Sequence, residues 1–181
     1  MHVPCLGRSR RRAFMLAVPF VALGLLLTGC GQHHSDATPS PPKVAPASPA
    51  TLTMRSAYPI GKILVDGNGR TLYMSETDTS SRSACLSSCV KAWPPLLTRG
   101  APQAGGGVKG ALIGTIRRPD GTTQVTYHGH PLYRYRHDLV PGQSQGIGLK
   151  ELGTVWYTLS AQGDAISPDG TVVTGGSGGG Y

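Results

Sequence analysis

Two tyrosine–aspartate pairs recur in this sequence with the same spacing and are the first candidates for chemistry. Tyr73 and Asp78 are repeated as Tyr133 and Asp138. If the repeat brought the two carboxylates together, they could hold a cation or a basic ligand, although hard cations need about six or more oxygen ligands. In the structural alternative, each tyrosine packs its ring in the core, and each aspartate caps the backbone amides of a turn. The residue types favour the structural role and leave the ligand role open.

Two histidines are the candidate metal ligands. His128 and His130 flank Gly129, and imidazole suits copper and zinc. Side chains two positions apart lie on the same face of a strand, but a turn at His128-Gly129 would break that alternation. Copper binding at these residues is therefore kept as an alternative, and no other cofactor is expected.

The first 29 residues predict a secretory signal peptide. Residues 1–12 carry four arginines, and residues 13–28 are almost wholly apolar. This run is shorter than the roughly 20 residues of a membrane-spanning helix, and a basic start before a short apolar run is typical of a signal peptide. Arg11-Arg12 also resembles a twin-arginine export signal, so the export route stays open.

The end of this segment resembles the bacterial lipobox. Leu27-Thr28-Gly29 precedes Cys30, and the resemblance implies cleavage before Cys30 and lipidation of its sulfur. Two or more acyl chains give stable membrane attachment. The expected location is the extracytoplasmic face of the cell membrane, with the N-terminal lipid as the membrane partner.

Cys85 and Cys89 are the cysteines that remain in the mature domain. Outside the cytoplasm such a pair is predicted to form a disulfide. On one helical turn their Cα atoms would fall inside the allowed window of about 4.4–6.8 Å. The alternative is a reduced pair that binds Cu(I), which favours thiolates.

The charge of the mature chain excludes one class of partner. Four of the 17 Lys and Arg residues and none of the nine Asp and Glu residues lie in residues 1–29, so the mature chain has a net charge of +4. No basic stripe interleaved with aromatic residues is present, so nucleic-acid binding is not expected.

Catalytic motifs are also missing. The sequence matches Gly-x-Ser-x-Gly at residues 142–146 and 175–179, but neither match lies between a predicted strand and a predicted helix, as a nucleophile elbow requires. No phosphate-binding Gly-Lys-Ser/Thr loop is present. The chain is therefore predicted not to be an enzyme.

Composition divides the mature chain into three parts. Residues 30–57 are rich in Pro, Ala, Ser and Thr and predict a disordered tether after the lipidated cysteine. Residues 58–167 are long enough for one domain, and residues 168–181 are predicted to be a flexible Gly-rich tail.

The central part predicts antiparallel strands joined by short turns. The predicted turns lie at residues 67–69, 118–121, 128–129 and 162–163. One helix is predicted from Arg82 to Ala92, and Pro94 and Pro95 end it.

An internal repeat organises these hairpins. Residues 63–78 match residues 123–138 at five of 16 positions with a constant offset of 60, and each copy is later followed by a tryptophan, Trp93 or Trp156. Shared turn and motif positions indicate duplication of one unit. The predicted fold is mostly β, a pseudo-symmetric domain of antiparallel hairpins in two repeats with one short helix.

These motifs together resemble the bacterial secreted lipoprotein family that is defined by a Tyr-x4-Asp repeat. The resemblance rests on both Tyr–Asp motifs, the Cys85–Cys89 pair with the following Ala92-Trp93-Pro94-Pro95, and Trp156-Tyr157, and it covers residues 60–167. The second copy has the aromatic residue that members often carry two positions after the tyrosine, Tyr135, whereas the first copy has Ser75. The family has no established activity, so the resemblance implies fold and location and supplies no catalytic residues.

The sequence therefore predicts a lipoprotein of the cell envelope that acts as a non-enzymatic binding or interaction module. Its partner would be an unknown envelope component or small ligand. The alternative is a metal-binding, specifically copper-binding, or redox-associated envelope protein.

Overall fold

Short strands and tight turns make up most of residues 48–173, the part of the chain that the computed structural model describes. The predicted signal peptide, the predicted lipidation site Cys30, the predicted tether up to residue 47 and the tail from residue 174 lie outside the described residues. Within residues 48–173, no helix is both long and apolar enough to cross a bilayer.

The described residues contain ten strands and one α-helix. They are β1 (Thr51–Ala57), β2 (Gly61–Asp66), β3 (Tyr73–Ser75), α1 (Cys89–Ala92), β4 (Gln103–Ala104), β5 (Ile113–Arg117), β6 (Thr123–Tyr127), β7 (His130–Pro131), β8 (Lys150–Glu151), β9 (Thr154–Leu159) and β10 (Ala165–Ile166). The hydrogen-bonded orders are β2-β1-β4, β5-β6-β7 and β10-β9-β3, with β8 also paired to β9. The predicted mostly β fold is confirmed.

The first copy of the repeat is a hairpin closed by a buried aspartate. The turn between β2 and β3 is predicted correctly: Leu72 N donates to Leu64 O at 3.0 Å, and Asp66 N donates to Arg70 O at 2.9 Å. The carboxylate of Asp66 accepts the Asn68 and Arg70 amides at 2.9 and 3.0 Å. The side chain thus satisfies backbone donors that the tight turn leaves unpaired.

The second copy builds the same hairpin with a turn one residue shorter. His128 and Gly129 both have positive φ, 48° and 80°, which is the pattern of a two-residue hairpin turn. Leu132 N donates to Val125 O at 3.0 Å, so Val125 is the counterpart of Leu64 rather than of Val65. The two copies therefore align at a constant offset of 60 from Leu72 onward. In the strand before Leu72, the equivalent residues are one position further apart.

The two copies exchange their last strands. β9, which carries Trp156, pairs antiparallel with β3 of the first copy, with Tyr73 opposite Thr158. The segment after Trp93 pairs in turn with the second copy, through bridges Pro95–Tyr133 and Leu97–Gln124. Each copy thus contributes a strand that completes the sheet of the other copy.

A local two-fold axis passes between the two motif tyrosines. Tyr73 N donates to Tyr133 O at 2.9 Å, and Tyr133 N donates to Tyr73 O at 2.9 Å. Two residues that exchange both backbone hydrogen bonds form a directly opposed antiparallel pair. The predicted pseudo-symmetry is confirmed, and its axis lies at the motif itself.

The core consists of two clusters of buried side chains. One is mainly aliphatic and contains Ala50, Leu52, Leu64, Leu72, Met74, Leu96, Val125, Tyr127, Leu132 and Leu159. The other is aromatic and contains Tyr73, Cys85, Ala92, Trp93, Tyr133 and Trp156.

Strand β1 corrects the predicted tether. Residues 51–57 belong to the predicted disordered tether, but they form a strand between β2 and β4. Leu52 is fully buried in the aliphatic cluster. The polar residues on both sides of Leu52 lower the mean hydropathy of residues 51–57, so the composition alone does not indicate a strand. The strand forms because its backbone pairs with β2 and β4 in the folded domain.

The helix is also shorter than predicted. The expected helix over Arg82–Ala92 is present only at Cys89–Ala92. Ser87 has a φ of 50°, a left-handed conformation that a right-handed helix cannot contain. The end of the helix before Pro94 is as predicted.

The predicted flexible tail begins too early. Val173 N donates to Ala165 O at 2.9 Å, and Ile166 forms a bridge with Val172. Residues 168–173 therefore pair with the domain, because a turn capped by Asp169 folds them back onto β10.

Candidate functional site

The motif side chains pair across the two copies. The Tyr73 hydroxyl donates to Asp138 Oδ2 at 2.5 Å, and the Tyr133 hydroxyl donates to Asp78 Oδ2 at 2.7 Å. The tyrosine of each copy thus binds the aspartate of the other copy. Sequence reasoning nominated these four residues and did not foresee that they are exchanged.

Each aspartate also holds the loop that follows it. Asp78 Oδ1 accepts the Ala84 amide at 2.6 Å, and Asp138 Oδ1 accepts the Gln145 amide at 3.0 Å. The carboxylate is thus shared between a loop of its own copy and a tyrosine of the other copy. Capping of a turn by each aspartate agrees with the structural role that the residue types favoured.

Burial keeps both tyrosines in their neutral, proton-donating form. The pKa of Tyr73 is raised well above its usual value, first by burial and then by the hydrogen bond to Asp138. The pKa of Tyr133 is raised in the same way, by burial and by the negative charge of Asp78. Neither phenol can act as a general base near neutral pH, because a base needs a pKa near the working pH.

A buried arginine lies beside one of the two pairs. Arg118, 5% exposed, donates to Ser83 Oγ at 2.8 Å and to the Cys85 carbonyl at 2.7 Å. Ser83 Oγ lies 2.5 Å from the Tyr133 hydroxyl. Sequence reasoning placed Arg118 only in a turn, and no sequence signal marked it as buried.

The charge of Arg118 acts on Asp78. Burial raises the pKa of Asp78, and the Ala84 amide, the Tyr133 hydroxyl and the Arg118 guanidinium oppose that rise. A buried carboxylate is stabilised by such hydrogen bonds and a nearby cation. The pKa of Asp78 nevertheless stays above its usual value, because the effect of burial outweighs these three contacts.

The two repeat tryptophans stack on each other at the axis. Their ring centroids lie 3.9 Å apart with an interplanar angle of 3°. Each ring also meets the tyrosine of its own copy edge to face, Tyr73–Trp93 at 5.4 Å and Tyr133–Trp156 at 5.2 Å. The indole N–H of Trp93 donates to Glu151 Oε2 at 2.9 Å. The shared spacing of the tryptophans in the sequence thus corresponds to direct contact.

These contacts leave the motif carboxylates in separate hydrogen-bonded sets. Asp78 is held by Tyr133 and Ala84, and Asp138 is held by Tyr73 and Gln145. Among residues 48–173, no group of three or more His, Cys, Asp or Glu side chains is placed to hold a metal ion. The cation-binding alternative for the repeat therefore gains no support from the geometry.

Cys85 and Cys89 form a disulfide with a Cα–Cα distance of 5.2 Å. The two residues do not share one helical turn, because Cys89 begins α1 and Cys85 precedes the left-handed Ser87. Cys85 is buried in the aromatic cluster. The disulfide removes the thiolates on which a Cu(I) site would depend.

The candidate metal ligands His128 and His130 lie together at a cleft. Their ring centroids are 6.5 Å apart in an edge-to-face arrangement, and the cleft of about 250 Å³ is also lined by Met74, Glu76 and Asp164. Burial lowers the pKa of His130, the charge of His128 lowers it further, and Asp164 opposes both effects. A neutral imidazole is the form that binds a metal.

Two stretches of the chain, residues 57–97 and 114–160, match a lipoprotein family described as a secreted repeat of unknown function. No curated protein and no solved structure matches the chain. Each matched stretch contains one Tyr–Asp motif and one of the stacked tryptophans, so the two matches coincide with the two copies seen in the structure. The family description indicates an extracellular or envelope location. The chain belongs to this family of secreted lipoprotein repeats.

Proposed function

We propose that the protein is a lipid-anchored, non-enzymatic binding or interaction module on the outer face of the cell membrane. The observation that carries this proposal is the exchange of the motif side chains between the copies. The tyrosine hydroxyls, the aspartate carboxylates and the tryptophan rings that the two copies share are used inside the domain. A rigid β domain with these groups internal can offer only its outer surface to a partner.

The anchoring part of the proposal rests on Cys30 and on membership of a secreted lipoprotein family. Mass spectrometry of the protein from its native host tests it. The expected mature chain begins at Cys30 and carries acyl groups on that residue. In a Cys30→Ser variant, the precursor should keep residues 1–29 and lose the lipid. A wild-type chain with an unmodified sulfur, or with the leader still attached, would refute the anchor.

The non-enzymatic part can be tested with the Asp78→Asn and Asp138→Asn variants. The purified protein is assayed on ester, glycosidic and phosphate substrates of the cell envelope, and the folded fraction is measured in parallel by circular dichroism. We expect no turnover by the wild-type protein. Turnover that disappears in either variant while the folded fraction is unchanged would show that the module is an enzyme.

Copper binding is a second candidate, and the cleft at His128 and His130 favours it. Imidazole and the Met74 thioether suit copper, and no third His, Cys, Asp or Glu side chain of residues 48–173 is placed to join the two histidines. The test is elemental analysis of protein purified without chelator, with a His128→Ala/His130→Ala variant and His137→Ala as the matched control. One copper ion per chain that is lost in the double variant and kept in the control would support this function. A thiol count of zero in the mature domain is expected in either case.

A further inference from the structure

Two neighbouring aliphatic residues are exposed at the end of one loop. Leu139 is 76% exposed and Val140 is 54% exposed. They directly follow Asp138, whose carboxylate is buried against Tyr73. We call these two residues the apolar tip. Single exposed aliphatic residues are common on protein surfaces, whereas adjacent exposed ones mark a candidate contact site.

The loop that carries the apolar tip is held firmly. Gln143 Oε1 accepts the amides of both tip residues, at 2.5 and 3.1 Å. Thr71 Oγ1 donates to the Gln143 carbonyl at 2.6 Å, and Gly142 N donates to Gly69 O at 3.2 Å. The exposure of the tip is therefore fixed by the folded structure.

The other copy of the repeat shows that the fold does not need an apolar tip. At the positions after its motif aspartate, the first copy has Thr79 and Ser80, which are also exposed. Both loops are capped in the same way, by Asp78 on the Ala84 amide and by Asp138 on the Gln145 amide. Since Thr79 and Ser80 occupy the two positions after the motif aspartate in the first copy, capping by the aspartate does not itself require an aliphatic pair there.

Two arginines contact residues next to the apolar tip, and a third lies close to it in the sequence. The Arg55 guanidinium lies against Gly142, where an added Cβ would be 3.0 Å from Arg55 Nη2. Arg70 Nη2 donates to the Asp138 carbonyl at 2.7 Å, and Arg136 is exposed three positions before the tip.

The carboxylates of the same region are buried. Asp138 is 1% exposed and Asp66 is 2% exposed. Asp138 is bonded to Tyr73, and Asp66 is paired with Arg134 at 2.6 Å. The accessible charge next to the tip is therefore positive.

The tip also lies near the start of the domain. The turn at residues 67–69 contacts both the first strand and the loop that carries the tip. A Cβ added to Gly67 would lie 3.2 Å from Thr51 Cβ, and a Cβ added to Gly69 would lie 3.3 Å from Pro141 Cβ. Residues 31–47 separate Cys30 from the first described residue. A chain of that length spans at most about 60 Å, so a lipid on Cys30 would keep the domain close to the membrane.

We propose that the apolar tip and the arginines around it dock on the surface of an anionic phospholipid membrane. The two aliphatic side chains would enter the headgroup boundary, and the guanidinium groups would face lipid phosphates. The inference rests on the proposed lipid anchor for its biological setting, since tethering makes a weak surface contact effective by raising the local concentration. The docked domain would present its opposite side outward.

Vesicle sedimentation of the lipid-free protein tests this proposal. The mature chain with Cys30→Ser is mixed with vesicles of phosphatidylcholine alone or with added phosphatidylglycerol. The key variant, Leu139→Thr/Val140→Ser, gives the second copy the residues of the first. Leu152→Asn is the matched control, because Leu152 is 54% exposed and lies outside this loop. Circular dichroism confirms that each variant is folded.

We expect binding to the phosphatidylglycerol vesicles that exceeds binding to phosphatidylcholine and weakens at high salt. The tip variant should lose about tenfold in partition coefficient, and Leu152→Asn should bind like the wild type. An Arg55→Gln/Arg136→Gln variant should also bind more weakly.

Two results would overturn the proposal: no binding of the lipid-free wild type to anionic vesicles, or equal binding by the tip variant. If the tip bound an envelope protein and the domain did not bind vesicles, the partner would be that protein and the membrane proposal would be wrong. Because the tested chain carries no lipid, these outcomes are independent of whether Cys30 is acylated in the native host.

Discussion

At the scale of single residues, the central feature is a buried carboxylate whose hydrogen bonds come from two distant parts of the chain. Asp138 is 1% exposed and accepts from Tyr73, which lies 65 positions earlier, and from the nearby Gln145 amide. A buried charge is tolerated only when its hydrogen bonds are made. The phenol of the other copy is therefore required for the aspartate to remain buried.

Replacement of this phenol should destabilise the fold. Tyr73→Phe leaves Asp138 without its closest donor, and hydrogen bonds to charged groups contribute about 1.5–3 kcal/mol. We expect a loss of about that size in the free energy of unfolding in urea. Tyr58→Phe is the control, because Tyr58 is 99% exposed and should change stability little. Equal stability of the two variants would contradict a structural role for the Tyr73–Asp138 bond.

The raised pKa values predict unfolding at alkaline pH. The native state keeps the phenolic protons of Tyr73 and Tyr133, because burial raises both pKa values, while the unfolded chain releases them above about pH 10. The unfolded state then binds fewer protons, so stability falls with rising pH by about 1.4 kcal/mol per pH unit for each tyrosine. The stabilisation that comes from the two neutral tyrosines is fully present below pH 10.

The measurement for this prediction is the urea midpoint between pH 9 and pH 11.5. The gap in unfolding free energy between wild type and Tyr73→Phe should stay constant below pH 10 and narrow above it. Tyr58→Phe should follow the wild type throughout. A gap that does not depend on pH would show that Tyr73 ionises as easily in the native state as in the unfolded chain.

At the scale of elements, the loop after Asp138 approaches the stacked tryptophans at Gly146. An added Cβ on Gly146 would lie 2.7 Å from Trp93 Cη2 and 2.9 Å from Tyr73 Cε1. Both rings are fully buried and cannot move aside without disturbing the Trp93–Trp156 stack. Only a glycine lets the loop approach the two rings this closely, whatever the backbone φ angle at this position.

Gly146→Ala should destabilise the domain by about 1–3 kcal/mol, the usual cost of overpacking, and should change tryptophan emission because the rings must shift. Gly106→Ala is the matched control, because its nearest described neighbour would be Thr53 Oγ1 at 3.9 Å. Thermal unfolding followed by fluorescence measures both effects. Stability and emission like those of the control would mean that the loop can withdraw from the rings.

At the scale of the whole molecule, the exchange of strands makes the two copies dependent on each other. β3 needs β9 from the second copy, and Tyr133 needs the segment after Trp93 from the first. Neither copy can complete its sheet or bind its aspartate alone. The repeat is thus a duplicated sequence that folds as one cooperative unit.

Separate expression of residues 48–109 and 110–173 tests this dependence. Each fragment alone should lack a dispersed amide NMR spectrum, and an equimolar mixture should recover the spectrum of the intact domain. In the intact protein, tryptophan fluorescence and far-UV circular dichroism should report the same unfolding transition. A monomeric fragment with a dispersed spectrum would show that one copy folds independently.

The sequence by itself determined the features that depend on neighbouring residues. Glycine and asparagine at the turns, alternating strand residues and closely spaced cysteines predicted the hairpins and the disulfide, because these depend on contacts over a few positions. The constant offset of the Tyr–Asp motif predicted two related copies and thus a pseudo-symmetric β domain, which the family match supports.

Tertiary structure alone decided how the copies fit together. Strand β1 exists because β2 and β4 pair with it, the expected helix is reduced to Cys89–Ala92, and each tyrosine binds the aspartate of the other copy. Within one copy, Tyr73 and Asp78 are close in sequence, so the pattern could not distinguish pairing within a copy from pairing across copies. The choice depends on contacts between segments about 60 positions apart, which form only when the whole domain closes around its two-fold axis.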